Sequence, residues 1–223
     1  MLKLFAQEVT MMARSGGKSG VRSGDATRAA LVAAATDALR EVGFAGASAR
    51  EIARRANCQQ SLVFYHFGSV SGVLLAALDA VSQRRLAAYQ ALVADSASAD
   101  DLLGAAADII ATDLASGDVA VLVEMLAGAR LVPGLARQVS ERLAIWQEFA
   151  QAAVARLLPP GPLSSLAPVP DVAHTVVAGI LGLELLAHTS GDRETPARIL
   201  DQAAGGLALL ELLTRRREPK ESP

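Results

Sequence analysis

Ser48-Ala49-Arg50-Glu51-Ile52-Ala53-Arg54-Arg55-Ala56, followed after seven residues by Phe64-Tyr65-His66-Phe67, is the stretch on which the fold turns. Its opening S-x-x-E is a capping box: the serine hydroxyl accepts from an orphan backbone N–H, and the glutamate reaches back to the cap. A short helix therefore begins here, with Ile52, Ala53 and Ala56 inward and Arg50, Arg54 and Arg55 outward. Asn57 ends it, because Asn tolerates the left-handed backbone of a tight turn. A second short helix runs from Gln59 or Gln60 to Phe67. Val63 and Phe67, four apart, face inward, and Gln60, Ser61, Leu62, Tyr65 and His66 lie toward solvent. Two short helices joined by a tight turn form a helix-turn-helix. The outward residues suit that reading by type: glutamine pairs bidentately with adenine, apolar side chains meet the thymine methyl, and Ser, Tyr and His reach phosphates.

Working upstream, Leu31, Ala35, Ala38, Leu39 and Val42 share one face of a helix expected over residues 27–42. Asp25 is its N-cap and Gly43 its stop. Phe44 is expected to pack back onto the core. Residues 1–24 carry Lys3, Arg14, Lys18 and Arg22 among Ser and Gly and read as a flexible basic arm. The run Gly16-Gly17-Lys18-Ser19 is not a phosphate-binding loop. That motif needs a glycine where Met12 stands, and a strand before it.

The wider composition agrees with an all-α protein. Of 223 residues, 52% are hydrophobic and only 4% aromatic, so the core is built from Ala, Leu and Val. No apolar run approaches the ~18 residues of a membrane span; the best, Val176 to Leu183, is closed by Glu184. No signal-peptide core follows the N-terminus, since Gln7 and Glu8 interrupt it. A soluble, cytoplasmic protein is expected. The lone Cys58 excludes an internal disulfide and a cysteine zinc site, and His66, His174 and His188 show no zinc-binding spacing. No cofactor or metal is expected. Charge is uneven: residues 1–85 carry net +5 and residues 86–223 net −7. A basic N-terminal third on an acidic body points one end of the molecule at a polyanion.

Here the residues also carry a family likeness. The Ser48–Ala56 segment, the Phe64–Phe67 motif, Ser69 and the Leu74-Leu75 pair resemble, in order and spacing, the DNA-binding domain of TetR-family transcriptional repressors. The likeness covers about residues 27–75, a third of the chain. It implies that Gln60 and Leu62 probe bases, with Gln59 and Ser61 beside them. It implies that Ser48, Tyr65 and His66 hold phosphates, that Val63 and Phe67 are core, and that Phe64 is either core or in contact with the DNA backbone. Asn57 stands where members often carry Gly, Cys58 where they carry Val, and Gln59 where they carry Ser. Val70 stands where they usually carry a phosphate-contacting Lys, leaving the backbone N–H groups of that helix start for the task.

Beyond Ser69, which caps a helix reaching to about Ala94, further helices are expected over about 99–115, 118–130, 133–158, 171–189 and 195–215. The five prolines of residues 159–170 make that segment a loop. The domain plan is an arm (1–24), a helix-turn-helix domain (25–70), a larger helical ligand-binding and dimerisation domain (71–215) and a tail (216–223). In the family likeness, the last two helices pair with their twofold mates. Ile180, Leu181, Glu184, Leu185, His188, Leu207 and Leu210 are the candidates for that interface. Polar or large residues set in apolar helices are the candidates for a ligand pocket: Asp108, Glu124, Met125, Trp146, Phe149 and His174. The function expected is a homodimeric repressor that a small molecule releases from a near-palindromic DNA operator. A helical scaffold or protein-binding module without specific DNA binding is the alternative. An enzyme is a third class, for which no zinc motif and no G-x-S-x-G elbow is present.

Overall fold

The computed structural model describes residues 2–94, 96, 98–157 and 167–215, with side chains described for 23–94, 96, 98, 101–156, 167–203 and 205. Every element among the described residues is a helix: α1 (Leu2–Gly46), α2 (Ala49–Arg55), α3 (Ser61–Phe67), α4 (Val70–Ala94), α5 (Ala99–Ser116), α6 (Asp118–Gly128), α7 (Leu135–Leu157), α8 (Val169–Ser190) and α9 (Glu194–Arg215). They fall into two compact units divided between Leu78 and Asp79.

In the first unit, Leu31, Ala35, Ala38 and Leu39 of α1 are buried, as their spacing requires. The helix is broken at Gly43, whose φ of 69° and ψ of −178° are open to glycine and not to other residues. Two expectations fail in α1. Val42 is 45% exposed, because the break follows directly and the buried stripe ends at Leu39. The backbone of residues 2–24 is helical rather than irregular. Once residues 27–42 have formed a helix, each further residue adds a hydrogen bond without a new nucleation cost, and this outweighs the glycines at 16, 17, 20 and 24.

The turn between α2 and α3 is made as its sequence demands. Asn57, at φ 50°, is the one non-glycine with positive φ among the described residues. Ser48 Oγ accepts the Glu51 N–H at 3.2 Å. The other half of the expected capping box is not made: the Ser48 N–H donates to the Gly46 carbonyl at 2.8 Å, and Glu51 turns to arginines instead. Val63 is fully buried, whereas Phe67 is only half-buried, beneath the Arg28 guanidinium at 5.0 Å. The α3–α4 corner is tight. Ser69 Oγ accepts the Gly72 N–H at 3.0 Å, and a Cβ at Gly72 would lie 2.3 Å from the Phe67 carbonyl oxygen, so only glycine fits.

The second unit is a helical bundle. Helix α5 opens on a complete capping box between Ser98 and Asp101 (3.1 and 2.9 Å). It packs against α9, α8 and α6, and α7 packs against α8. Ile110, Leu114, Val119, Ala187 and Leu200 form a core cluster, with Ile180 and Leu183 packed on its edge. Arg156 of α7 clasps the far end of α4, donating to the Val93 carbonyl at 2.9 Å and the Ser96 carbonyl at 3.1 Å. Arg84 makes a forked pair with the buried Asp118 at the start of α6 (2.8 and 2.9 Å). By length and composition α8 is apolar enough to cross a membrane, which the sequence reading did not foresee. It also carries the buried Glu184 and packs on α5, α6, α7 and α9. The proline-rich residues 159–166 and the tail lie outside the described residues.

Candidate nucleic-acid interface and a buried polar cluster

Helices α2 and α3 present a surface of mixed polarity. Gln59 and Gln60 are exposed, and Gln60, at the α3 start, makes no side-chain cap bond, so its amide is available to an external partner. Ser61 is exposed and Leu62 half-exposed. Tyr65 is 80% exposed and meets the partly exposed His66 ring edge-on at 5.0 Å. Ser48 uses its oxygen to cap α2, which leaves its O–H proton free to donate. Phe64, for which core and DNA-backbone roles were both open, is 46% exposed. All seven residues expected at the DNA surface lie on this α2–α3 segment and carry solvent exposure.

The arginines of α2 behave less simply than their outward spacing suggests. Arg54 donates twice to Glu51 (2.9 and 2.7 Å). Arg55 donates to Glu51 and to Glu41 of α1, each at 2.7 Å. Hydrogen bonds from Arg54 and Arg55 pull the Glu51 carboxyl down to about 2. The network holds α2 on α1 and occupies both guanidinium groups. Arg50 is exposed and makes no ion pair among the described residues. It is a cation on the α2 surface that the sequence reading left out of the interface, although its place two residues after the cap was visible.

The candidate pocket residues do not come together. Asp108 and His174 are exposed, each one position off a buried residue of its helix, Ile109 and Ala173. Glu124 is half-buried and Met125 is fully buried core. Trp146 and Phe149 are half-buried. What the second unit assembles instead centres on Arg85. Its guanidinium pairs with Asp113 of α5 and, at 2.9 Å, with Glu184 Oε1 of α8, and its Nε–H donates to the Tyr89 hydroxyl at 2.9 Å. The Tyr89 hydroxyl also bonds Asp113. The Trp146 ring lies 5.4 Å from that of Tyr89 and 5.2 Å from the guanidinium. Arg85, Asp113 and Glu184 are all under 10% exposed.

Two buried carboxyls around one guanidinium leave one negative charge in excess. Burial, reinforced by the hydrogen bond and charge of Asp113 and opposed by Arg85, pushes Glu184 up to about 8. Burial also raises Asp113, against the pull of Glu184 and Arg85. The cluster therefore holds a proton at neutral pH. This corrects the placing of Glu184 at a dimer interface: its side chain is spent inside the unit, since an unpaired buried Arg85 would cost more than solvation could return. Of the other interface candidates, Ile180 and Leu181 are half-buried, and Leu185 and His188 are exposed. Leu207 and Leu210 lie outside the described side chains. Arg85, Tyr89 and Asp113 escaped the sequence reading. The available signal was that Arg85 and Tyr89 continue the i, i+4 stripe of Leu74, Leu78 and Val81, where a charge has no business unless paired.

Comparison with known proteins agrees with this architecture. Residues 31–77 match the bacterial regulatory proteins of the tetR family, and residues 98–210 match the C-terminal domain of BetI-type transcriptional repressors. The chain belongs to the TetR family. TetR-family proteins are transcriptional regulators that bind DNA and are not enzymes. An uncharacterized helix-turn-helix-type transcriptional regulator of Mycobacterium tuberculosis is 34% identical over 104 residues, 47% of this chain and 53% of that protein. The match thus spans about half the length of that relative. Among solved structures, a TetR-family member from Streptomyces coelicolor A3 superposes with a TM-score of 0.60 at 25% identity, covering 79% of this chain and 96% of that one. A transcriptional regulator from Rhodococcus sp. RHA1 gives 0.64 at 23% identity, covering 80% and 94%.

Proposed function

We propose that this TetR-family regulator is a homodimeric repressor that a small molecule releases from a near-palindromic DNA operator in the cytoplasm. The observation that carries the DNA reading is the exposed α2–α3 surface, where Gln60 offers an unengaged amide beside Tyr65 and Ser48. Gln60 and Leu62 probe base edges in the major groove, with Gln59 and Ser61 at the entry to the helix. Ser48, Tyr65, His66 and Arg50 hold phosphates. Pairing is supported by apolar side chains left uncovered on α8 and α9: Val176 (40%), Leu186 (65%) and Ile199 (42%). Two recognition helices about 34 Å apart then read successive major grooves. The repressor sense follows the likeness of the second unit to BetI-type repressors. A ligand that binds one conformation of the second unit better than another lowers DNA affinity by the ratio of those affinities.

The test is selection of bound duplexes from a random library with the full chain at moderate salt. Enrichment of two half-sites related by a dyad is the expected result. Bulk binding without enrichment, or no binding, overturns the reading in favour of a scaffold.

A further inference from the structure

Helices α6 and α8 enclose a cleft of about 130 Å³ lined by Val119, Leu122, Val123, Leu126, Leu181, Gly182, Leu185 and one ionisable residue, Glu184. Glu184 Oε1 is taken by Arg85. Its Oε2 is buried and receives no hydrogen bond from a donor among the described residues. Behind it stands the charge count already derived: Arg85 supplies one positive charge against the two carboxyls of Asp113 and Glu184. Among the described residues, no other charged group is paired with either carboxyl. Arg84 and Asp118 satisfy each other, and His188, one turn along α8, is exposed. The cluster lacks one cation, and an apolar cleft leads to the residue that lacks it.

We propose that this cleft binds a small organic monoammonium ion, with a short apolar chain against Leu122, Val123, Leu126 and Leu185 and an N–H donating to Glu184 Oε2. The ammonium replaces the proton shared by the two carboxyls. Its arrival makes the cluster Arg85⁺, Asp113⁻, Glu184⁻ and ligand⁺, and the displaced proton leaves to solvent. Charge is conserved and no covalent bond changes apart from the O–H bond of the carboxyl. A neutral ligand of the same shape leaves the proton in place. A dication overfills the site, and a quaternary ammonium has no N–H for Oε2. This inference names the effector class for the regulator proposed above and rests on that reading only for its biological role; binding itself is independent of DNA.

The experiment is titration calorimetry of the full chain with n-butylammonium chloride at pH 7, run in phosphate and in MOPS, neither of which is a primary amine. The two buffers differ in ionisation enthalpy, so the difference in heat counts protons. Binding with release of close to one proton is expected, with butan-1-ol and tetramethylammonium each at least 10-fold weaker. Glu184→Gln and Asp113→Asn each leave Arg85 balanced by a single carboxylate. Both are expected to lose the proton release and at least 10-fold in affinity. Absence of binding, equal heats in the two buffers, or butan-1-ol as tight as butylammonium overturns the proposal on the unmodified chain alone, whatever the variants do. An operator found by selection with no amine binding overturns the cleft and leaves the regulator. Amine binding with no operator does the reverse.

Discussion

Replacing Glu184 by Gln isolates the energetic consequence of the buried carboxyl pair. In the folded chain Glu184 holds its proton up to about pH 8, against an ordinary value of 4.5. Below 4.5 the group is protonated in both the folded and unfolded chain and favours neither. Between 4.5 and about 8 the folded state binds one more proton than the unfolded state. Stability therefore falls as pH rises, by about 1 kcal/mol per pH unit. Across the whole window the loss is a few kcal/mol on the order of the shift, and it levels off above the folded value. Glutamine keeps an amide oxygen for Arg85 and an N–H₂ for Asp113 while removing the titration. The assay is urea unfolding at half-unit steps from pH 5 to 8.5, followed by Trp146 fluorescence. Trp146 is the single tryptophan and lies over Arg85 and Tyr89, so it reports this cluster directly. The unmodified chain should lose stability through the window while Glu184→Gln holds steady. Parallel profiles would refute the shared proton and show both carboxylates ionised around Arg85.

Other perturbations test the first unit. Gln60→Ala should weaken specific operator binding by ~1–3 kcal/mol in a fluorescence-anisotropy titration without altering the sedimentation of the protein; unchanged affinity would mean that Gln60 reads no base. Asn57→Ala should destabilise by about 1 kcal/mol, because alanine resists the left-handed turn, whereas Asn57→Gly should not; chemical unfolding of the pair decides it. Leu39→Ala empties a fully packed site and should cost about 2–5 kcal/mol in the same assay.

The first unit was largely legible in the sequence because its signals are local. A serine three residues before a glutamate, an asparagine in a tight turn and Val63 buried on the α3 stripe each fix a backbone feature within a few residues. Even there, local reading misjudged partners. Glu51 had two nearby arginines as well as the cap to choose from, and a charged hydrogen bond to guanidinium is the stronger option. The helix boundaries of the second unit were also readable, since Gly117, Pro133 and Gly191 punctuate an apolar chain. Its polar cluster was not. Arg85, Asp113 and Glu184 lie 28 to 99 residues apart, and only the packing of α4, α5 and α8 brings them together. Asp108 and His174 looked like Asp113 and Glu184 in sequence, as polar residues in apolar runs. A difference of one or two positions around the helix put the first pair in solvent and the second in the core.

The pairing of Arg54 and Arg55 with Glu51 and Glu41 has a consequence for the ionic atmosphere of DNA. A cation that already neutralises a carboxylate displaces few condensed counterions when it nears a phosphate, and counterion release is what makes protein–DNA affinity collapse as salt rises. Of the three arginines on α2, Arg50 alone is uncommitted among the described residues. Neutral donors, the hydroxyls of Ser48 and Tyr65 and the amide of Gln60, stand beside it. On the DNA reading proposed above, this α2–α3 surface would gain little from electrostatic condensation onto arbitrary duplex. It would hold a correct site by geometry and keep most of that part of its grip when ionic strength rises.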